Sequence, residues 1–169
     1  MANVNDGAFS LTPNTPDLSL QMTRDIALSP EQCFAAWTQP ALIQEWFCPK
    51  PWRVIACTVD LKPGGVFATT MQSPEGETQP EGLGCYLLTD SPHRLVWTNL
   101  MGPGFVPQSV QHPGFGFVCD LRFDALPHGM TRYHATVHHT DQSGRDAHAA
   151  MGFEQGWNIA LDQLVALMG

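Results

Sequence analysis

The C-terminal residues constrain the fold more than any other part of the sequence. Residues 144–169 predict one long amphipathic helix, because apolar side chains recur along them every three or four positions. The apolar stripe comprises Phe153, Trp157, Ala160, Leu161, Leu164 and Met168. Such a face must be covered by another apolar surface, and the chain before it is rich in strand-like segments. We therefore expect the helix to pack across a sheet. Gly152 and Gly156 predict either a close backbone approach or open space beside the helix.

The segments before this helix predict an antiparallel sheet. Alternating apolar and polar residues over 18–28 indicate a half-buried first strand. Ser29 and Pro30 are typical of a helix start, and Pro40 begins a second short helix. Six further strand-like segments follow, bounded by turn residues: 52–61, 65–72, 82–90, 94–101, 115–124 and 131–140. Short turns between consecutive strands favour a meander.

The distribution of residue types indicates one folded unit. Residues 1–17 are mostly polar and contain two prolines, so we expect a flexible N-terminal arm. Residues 18–169 contain no linker-like stretch and suffice for one buried core, which predicts a single domain.

Composition excludes several classes of function. The net charge is −8 with only 8 Lys+Arg and no basic stripe, so we expect no binding to nucleic acid. No run of 18 apolar residues and no signal-like start occur, which predicts no membrane insertion and a cytoplasmic protein. Five cysteines without a C-x₂-C pair predict reduced thiols. Charged residues make up only 14% of the chain, which leaves apolar surface compatible with a homodimer.

Several segments together resemble a known superfamily. They are AAWTQP at 35–40, WFCP at 46–49, DLKPGGVF at 60–67, RLVWT at 94–98, MGF at 151–153, GW at 156–157 and LDQL at 161–164. With the order of predicted elements, they are similar to the SRPBCC (START/Bet v 1-like) superfamily and, within it, to the activator of Hsp90 ATPase (AHSA1) branch. The resemblance covers residues 18–168. It implies an α+β helix-grip fold, in which a curved antiparallel sheet (β-α-α-β6-α) wraps around a long C-terminal helix.

The resemblance also implies a cavity between the sheet and the helix that holds a hydrophobic or aromatic molecule. The strand face with Phe117 and Cys119 should meet the helix, because alternate residues share a face. Asn99 and His139 are candidate polar anchors for a ligand, although Asn99 could instead bond a neighbouring backbone group. The predicted ligand-binding residues are Trp46, Phe67, Trp97, Asn99, Met101, Phe117, Cys119, His139, Phe153 and Trp157. Trp46 could equally belong to an aromatic plug that closes the core.

Motifs for catalysis are scarce. The sequence has no nucleophile elbow, Rossmann motif or P-loop, and we expect no cofactor. His134 and His138 share a strand face that looks solvated, so we expect no metal site there. We predict binding of a small hydrophobic molecule rather than catalysis. The alternatives are a cyclase or hydrolase with His139 or a carboxylate as general base, and a co-chaperone that stimulates an Hsp90-type ATPase.

Overall fold

The computed structural model describes residues 17–110 and 113–169. The predicted arm therefore lies almost entirely outside the described residues. The first strand, β1, spans Ser19–Ile26, and the helices α1 and α2 span Pro30–Thr38 and Pro40–Trp46. The start of α1 is a capping box: Gln32 N donates to Ser29 Oγ (3.2 Å) and Ser29 N donates to Gln32 Oε1 (2.9 Å). Two otherwise unpaired amides are satisfied in this way, and the predicted helix start is confirmed.

Within the described residues, β1 and six further strands form one antiparallel sheet. The further strands are β2 (Arg53–Val59), β3 (Val66–Gln72), β4 (Gly82–Asp90), β5 (Arg94–Thr98), β8 (Phe117–Leu126) and β9 (Met130–His139). Their order in the sheet is β1-β9-β8-β5-β4-β3-β2. From β2 to β9, each strand of the sheet pairs with the next one along the chain. Strand β1 pairs with β9 and forms the edge opposite β2. The predicted meander and the α+β helix-grip fold are confirmed.

The predicted strand over 94–101 is too long. Strand β5 ends at Thr98, whose Oγ1 donates to Phe117 O (2.7 Å) and accepts from Leu100 N (3.0 Å). The side chain thus takes over hydrogen bonds at the point where the ladder stops. Two short strands beyond it, β6 (Met101–Gly102) and β7 (Val106–Pro107), pair with each other in a separate ladder. The strand predicted at 52–61 is also too long, since β2 spans 53–59, and the strand predicted at 115–124 is displaced to 117–126.

The predicted single C-terminal helix is wrong, because the chain forms two helices. They are α3 (Gln142–Ala150) and α4 (Phe153–Met168). Gly152 separates them with a φ of 87°, a left-handed conformation that an L-residue adopts only with strain. Asp141 caps α3, since its carboxylate accepts from Gly144 N (2.7 Å). Helix α4 keeps the predicted apolar stripe and packs against α1, α2 and β1.

The core lies between one face of the sheet and the helices. Strand β8 contributes Cys119, Leu121 and Phe123, all fully buried, as the alternation predicted. Burial of Leu121 or of Phe123 contributes about 1.5 to 3 kcal/mol each. The Trp37 indole donates to the Tyr133 hydroxyl (2.8 Å) and ties α1 to β9. The five cysteines are free thiols, and four of them are buried. No helix within residues 17–110 and 113–169 is long and apolar enough to cross a membrane.

Candidate ligand-binding site

Seven rings form a closed series of contacts between the sheet and the helices. We name them the aromatic circuit: Trp37, Phe47, Phe67, Trp97, Phe117, His148 and Trp157. Successive ring centroids lie 4.7 to 6.5 Å apart, within the usual range for aromatic pairs. Three rings come from β3, β5 and β8, and the others from the helices or the residue after α2. The circuit therefore follows the boundary at which the helices meet the sheet.

One side of the aromatic circuit is partly open. Phe47, Phe117, His148 and Trp157 are half-buried, whereas the other three rings are buried. Among the ring pairs of the described residues, Trp157 contacts Trp37, His148 and Phe153 but not Phe117. The imidazole of His148 lies between them, 6.4 Å from Phe117 and 6.5 Å from Trp157. Trp157 is therefore not packed directly against the β8 ring.

Open space lies beside α4 at Gly156. A methyl group built on Gly156 would meet no atom within 4 Å apart from its chain neighbours and the backbone of its own helix. The sequence predicts either a close backbone approach or open space beside the helix glycines, and at Gly156 the structure shows open space. Gly156 lies two turns before Gln163, which donates to Trp46 O (3.0 Å) and Cys48 O (2.9 Å) and so marks the side of α4 that faces α2. The open space is on this side of the helix.

The predicted ligand-binding residues fall into two groups. Phe67, Trp97, Phe117 and Trp157 belong to the aromatic circuit, and Phe153 contacts it through Trp157 (5.0 Å). The other residues, considered next, lie outside the circuit.

Trp46 belongs to the core. It is 3% exposed, donates from Nε1 to Ala36 O (2.9 Å) and packs on Trp37 at 4.9 Å. This position agrees with the alternative prediction, in which Trp46 belongs to an aromatic plug that closes the core. Cys119 is completely buried, and its burial raises the pKa of the thiol. Met101 is half-buried in β6, outside the seven-stranded sheet.

Asn99 is engaged with the backbone. Its Nδ2 donates to Phe115 O (2.9 Å), and its Oδ1 accepts from Phe117 N (2.9 Å). Both functional ends of the amide therefore hold the entrance of β8 beside the end of β5. Of the two roles predicted for Asn99, the structure shows the backbone contact.

Two buried polar atoms near the circuit have no hydrogen-bond partner within residues 17–110 and 113–169. They are the Tyr86 hydroxyl and Trp97 Nε1. The rings of both residues pack on Phe67, with centroids 5.6 and 4.7 Å from it. Burial, and secondarily Cys57, raises the pKa of Tyr86, so the hydroxyl keeps its proton. Cys119, paired across the strands with Trp97, offers the indole only a weak sulfur acceptor. An unpaired buried polar group costs about 1 to 3 kcal/mol.

His139 does not present a free ring nitrogen. It is 6% exposed; Nδ1 lies 2.9 Å from Leu18 O, and Nε2 lies 2.9 Å from His148 Nδ1. With both nitrogens engaged, His139 cannot directly anchor a ligand or act as the general base considered from the sequence. His148, which was not predicted, stacks on Phe115 at 4.5 Å. Burial, followed by His139, lowers the pKa of His148 to about 4.

The other strand histidines are on the opposite face. His134 Nδ1 is 3.0 Å from Thr23 Oγ1 and its Nε2 is 3.1 Å from Asp124, and His138 is exposed. In the described part of the chain, no group of three or more His, Cys, Asp or Glu residues is placed to hold a metal.

Two surface clefts lie away from the aromatic circuit. A cleft of about 510 Å³ runs between β1 and the C-terminal helices, and of the predicted ligand-binding residues only Phe153 lines it. A second, of about 500 Å³, lies between α2 and β2 beside Cys48 and Trp52. Arg24 crosses the first cleft to Asn158 and Asp162, with Nη2 at 2.8 Å from the Asp162 carboxylate. Apart from Phe153, no predicted ligand-binding residue lines either cleft.

Sequence reasoning missed Trp37, Tyr86 and His148. Trp37 and Tyr86 are aromatics in apolar segments, and periodicity gives a core residue and a lining residue the same signal. Phe47 belongs, with Trp46, to the aromatic cluster that the sequence predicts either to rim a cavity or to close the core. His148 lies in a polar helix whose continuation into α4 was predicted to be straight. The left-handed Gly152 changes the direction of the chain, and this change brings His148 to His139. A glycine within an apolar helical pattern was the available signal.

Comparison with known proteins agrees with this architecture. The family described as activator of Hsp90 ATPase homolog 1-like protein matches residues 27–169. The chain belongs to this family. A crystal structure of a protein from Nitrosomonas europaea is 34% identical, with a TM-score of 0.83 over 90% of this chain and 95% of that one. No curated protein matches the sequence.

Less similar solved structures share the fold. A crystal structure of a Rhodobacter sphaeroides protein is 26% identical, with a TM-score of 0.77 over 90% of this chain and 93% of that one. An AHSA1-like protein from Aeromonas hydrophila, solved by NMR, is 22% identical, with a TM-score of 0.61 over 87% of this chain and 90% of that one. The fold is thus common to these solved structures, and the chemistry must be argued from the side chains of this chain.

Proposed function

We propose that this AHSA1-like chain binds a small hydrophobic or aromatic molecule between the curved sheet and α4, within the aromatic circuit. The observation that carries the proposal is the pair of unpartnered polar atoms, Tyr86 Oη and Trp97 Nε1, among buried aromatic rings. Ligand sites combine an apolar lining with a few polar groups that fix orientation. A carbonyl-bearing aromatic molecule would bury its rings against the circuit and accept a hydrogen bond from one of these groups.

The space beside Gly156 and the half-buried rings supports access from one side. A ligand placed there needs the rings of Phe117 and Trp157 to separate further, and His148 alone bridges them in the circuit. The binding surface would therefore form around the ligand by repacking of side chains on α4 and β8.

A titration with 2-acetylnaphthalene tests the proposal. Binding is followed by tryptophan fluorescence, since three circuit members are tryptophans, and native mass spectrometry gives the stoichiometry. We expect one molecule per chain. Gly156→Leu should weaken binding at least tenfold by filling the open space, whereas Ala166→Leu, on the exposed face of the same helix, should not. A chain that binds neither this probe nor naphthalene would refute the proposal.

Two hydrogen-bond variants sharpen the test. Tyr86→Phe and Trp97→Phe remove the unpartnered groups while keeping aromatic rings in place. If either group binds the carbonyl, its loss weakens binding of 2-acetylnaphthalene by about three- to tenfold and leaves naphthalene binding unchanged. Equal effects on both probes would show that these atoms do not orient the ligand.

A further inference from the structure

The His139–His148 pair is an oriented hydrogen-bond chain. Leu18 O can only accept, so His139 Nδ1 carries a proton and donates to it (2.9 Å). In the neutral pair, His139 Nε2 then has a lone pair and accepts from His148 Nδ1–H (2.9 Å). This fixes His148 as the Nδ1–H tautomer. Its Nε2 is left as an acceptor, and within residues 17–110 and 113–169 it makes no hydrogen bond.

The surroundings keep His148 neutral and hold its ring in place. Phe115 stacks on it with centroids 4.5 Å apart and planes 28° apart, and Phe153 meets it edge-on at 5.0 Å. Desolvation by these rings disfavours the charged imidazolium. The ring is therefore preorganised, because packing fixes its plane and His139 fixes its tautomer.

The ring stands at the open side of the aromatic circuit. It lies between Phe117 and Trp157, and its Nδ1 edge is directed to β9 through His139. The Nε2 edge is on the other side of the imidazole and points away from His139. We propose that His148 Nε2 accepts a hydrogen bond from a hydroxyl group of the bound ligand, and that the ligand class is therefore aromatic alcohols or phenols.

This inference rests on the proposed binding function and adds a donor requirement to it. Tyr86 and Trp97 would donate hydrogen bonds to an acceptor atom of the ligand. His148 Nε2 would instead accept a hydrogen bond from a hydroxyl group of the ligand. A neutral, fixed acceptor beside aromatic rings discriminates against a ligand that lacks the hydroxyl, because the acceptor then remains unpaired in the complex. The preference for a ligand with a hydroxyl group over one without it should therefore be larger at His148 than at a solvent-exposed histidine.

The test compares naphthalene with 2-naphthol. The measured quantity is the ratio of their dissociation constants in the unaltered chain, in His148→Phe and in His138→Phe. We expect His148→Phe to reduce the preference for 2-naphthol over naphthalene by about tenfold. His138→Phe makes the same exchange on the exposed face of β9 and should leave the ratio unchanged.

The outcomes separate the two proposals. If the unaltered chain binds neither compound, the proposed function fails. If it binds both and His148→Phe leaves the ratio unchanged, the binding function stands and the hydroxyl acceptor is refuted. Nitrogen-15 NMR of the unaltered chain adds a readout that does not depend on a variant. A proton on His148 Nε2 at neutral pH would overturn the inference, and a proton on Nδ1 would support it.

Discussion

Replacing Gly156 with alanine should stabilise the fold. Alanine is favoured over glycine inside a helix by about 0.8 to 1 kcal/mol, and the added methyl group meets no atom within 4 Å apart from its chain neighbours and the backbone of its own helix. No steric term opposes this gain, so the full difference should appear in the free energy of unfolding. For a chain of this length, about 1 kcal/mol raises Tm by about 2 to 4 °C.

Gly152→Ala is the matched control, because it adds the same methyl group four residues earlier. The nearest atom to that methyl is 3.8 Å away, so no clash opposes it. The φ of 87° does oppose it, at a cost of about 1 to 2 kcal/mol. Thermal and urea unfolding followed by circular dichroism should move in opposite directions for the two variants. Destabilisation by Gly156→Ala would refute the reasoning, since it would mean that atoms fill the space beside α4.

Three further perturbations test other parts of the structure. Tyr133→Phe leaves the buried Trp37 indole without an acceptor and should cost about 1 to 3 kcal/mol in urea unfolding, and a loss below 0.5 kcal/mol would contradict the hydrogen bond. Gly84→Ala would place a methyl group 2.8 Å from Thr98 O and should lower Tm by several degrees. An unchanged Tm would show that β4 and β5 can move apart at this point without loss of stability. The lowered pKa of His148 makes the unfolded chain take up a proton before the folded chain does, so stability is lost as pH falls from 6.5 to about 4. After allowance for the partial exposure of the ring, His148→Phe should remove about 1 to 2 kcal/mol of that pH dependence, and identical pH profiles would exclude the shift.

The fold could be predicted because local signals agreed with each other. The box at Ser29 and Gln32, the turns between strands and the period-two burial of β8 each follow from side chains close in sequence. Strand ends were less predictable. Thr98 ends β5 through bonds to Leu100 and Phe117, and the second of these contacts depends on tertiary structure.

The candidate site was predicted only in part. Phe67, Trp97, Phe117 and Trp157 could be assigned to the inner face from strand and helix periodicity. The engagement of Asn99 with Phe115 and Phe117 could not, because an amide bonds equally well to a backbone or to a ligand. The pairing of His139 with His148 depends on how the chain turns at Gly152, and a single left-handed residue has no periodic signature.

The left-handed Gly152 divides the C-terminal segment into two helices, α3 and α4. An unbroken helix over 142–168 would extend about 40 Å, further than seven strands are wide at about 4.8 Å spacing. The bend at Gly152 places α3 against β9 and β1 at one edge of the sheet, while α4 packs against α1, α2 and β1. Under the proposed function, substitutions within 142–150 would alter ligand preference, while the buried stripe of α4 continues to stabilise the fold.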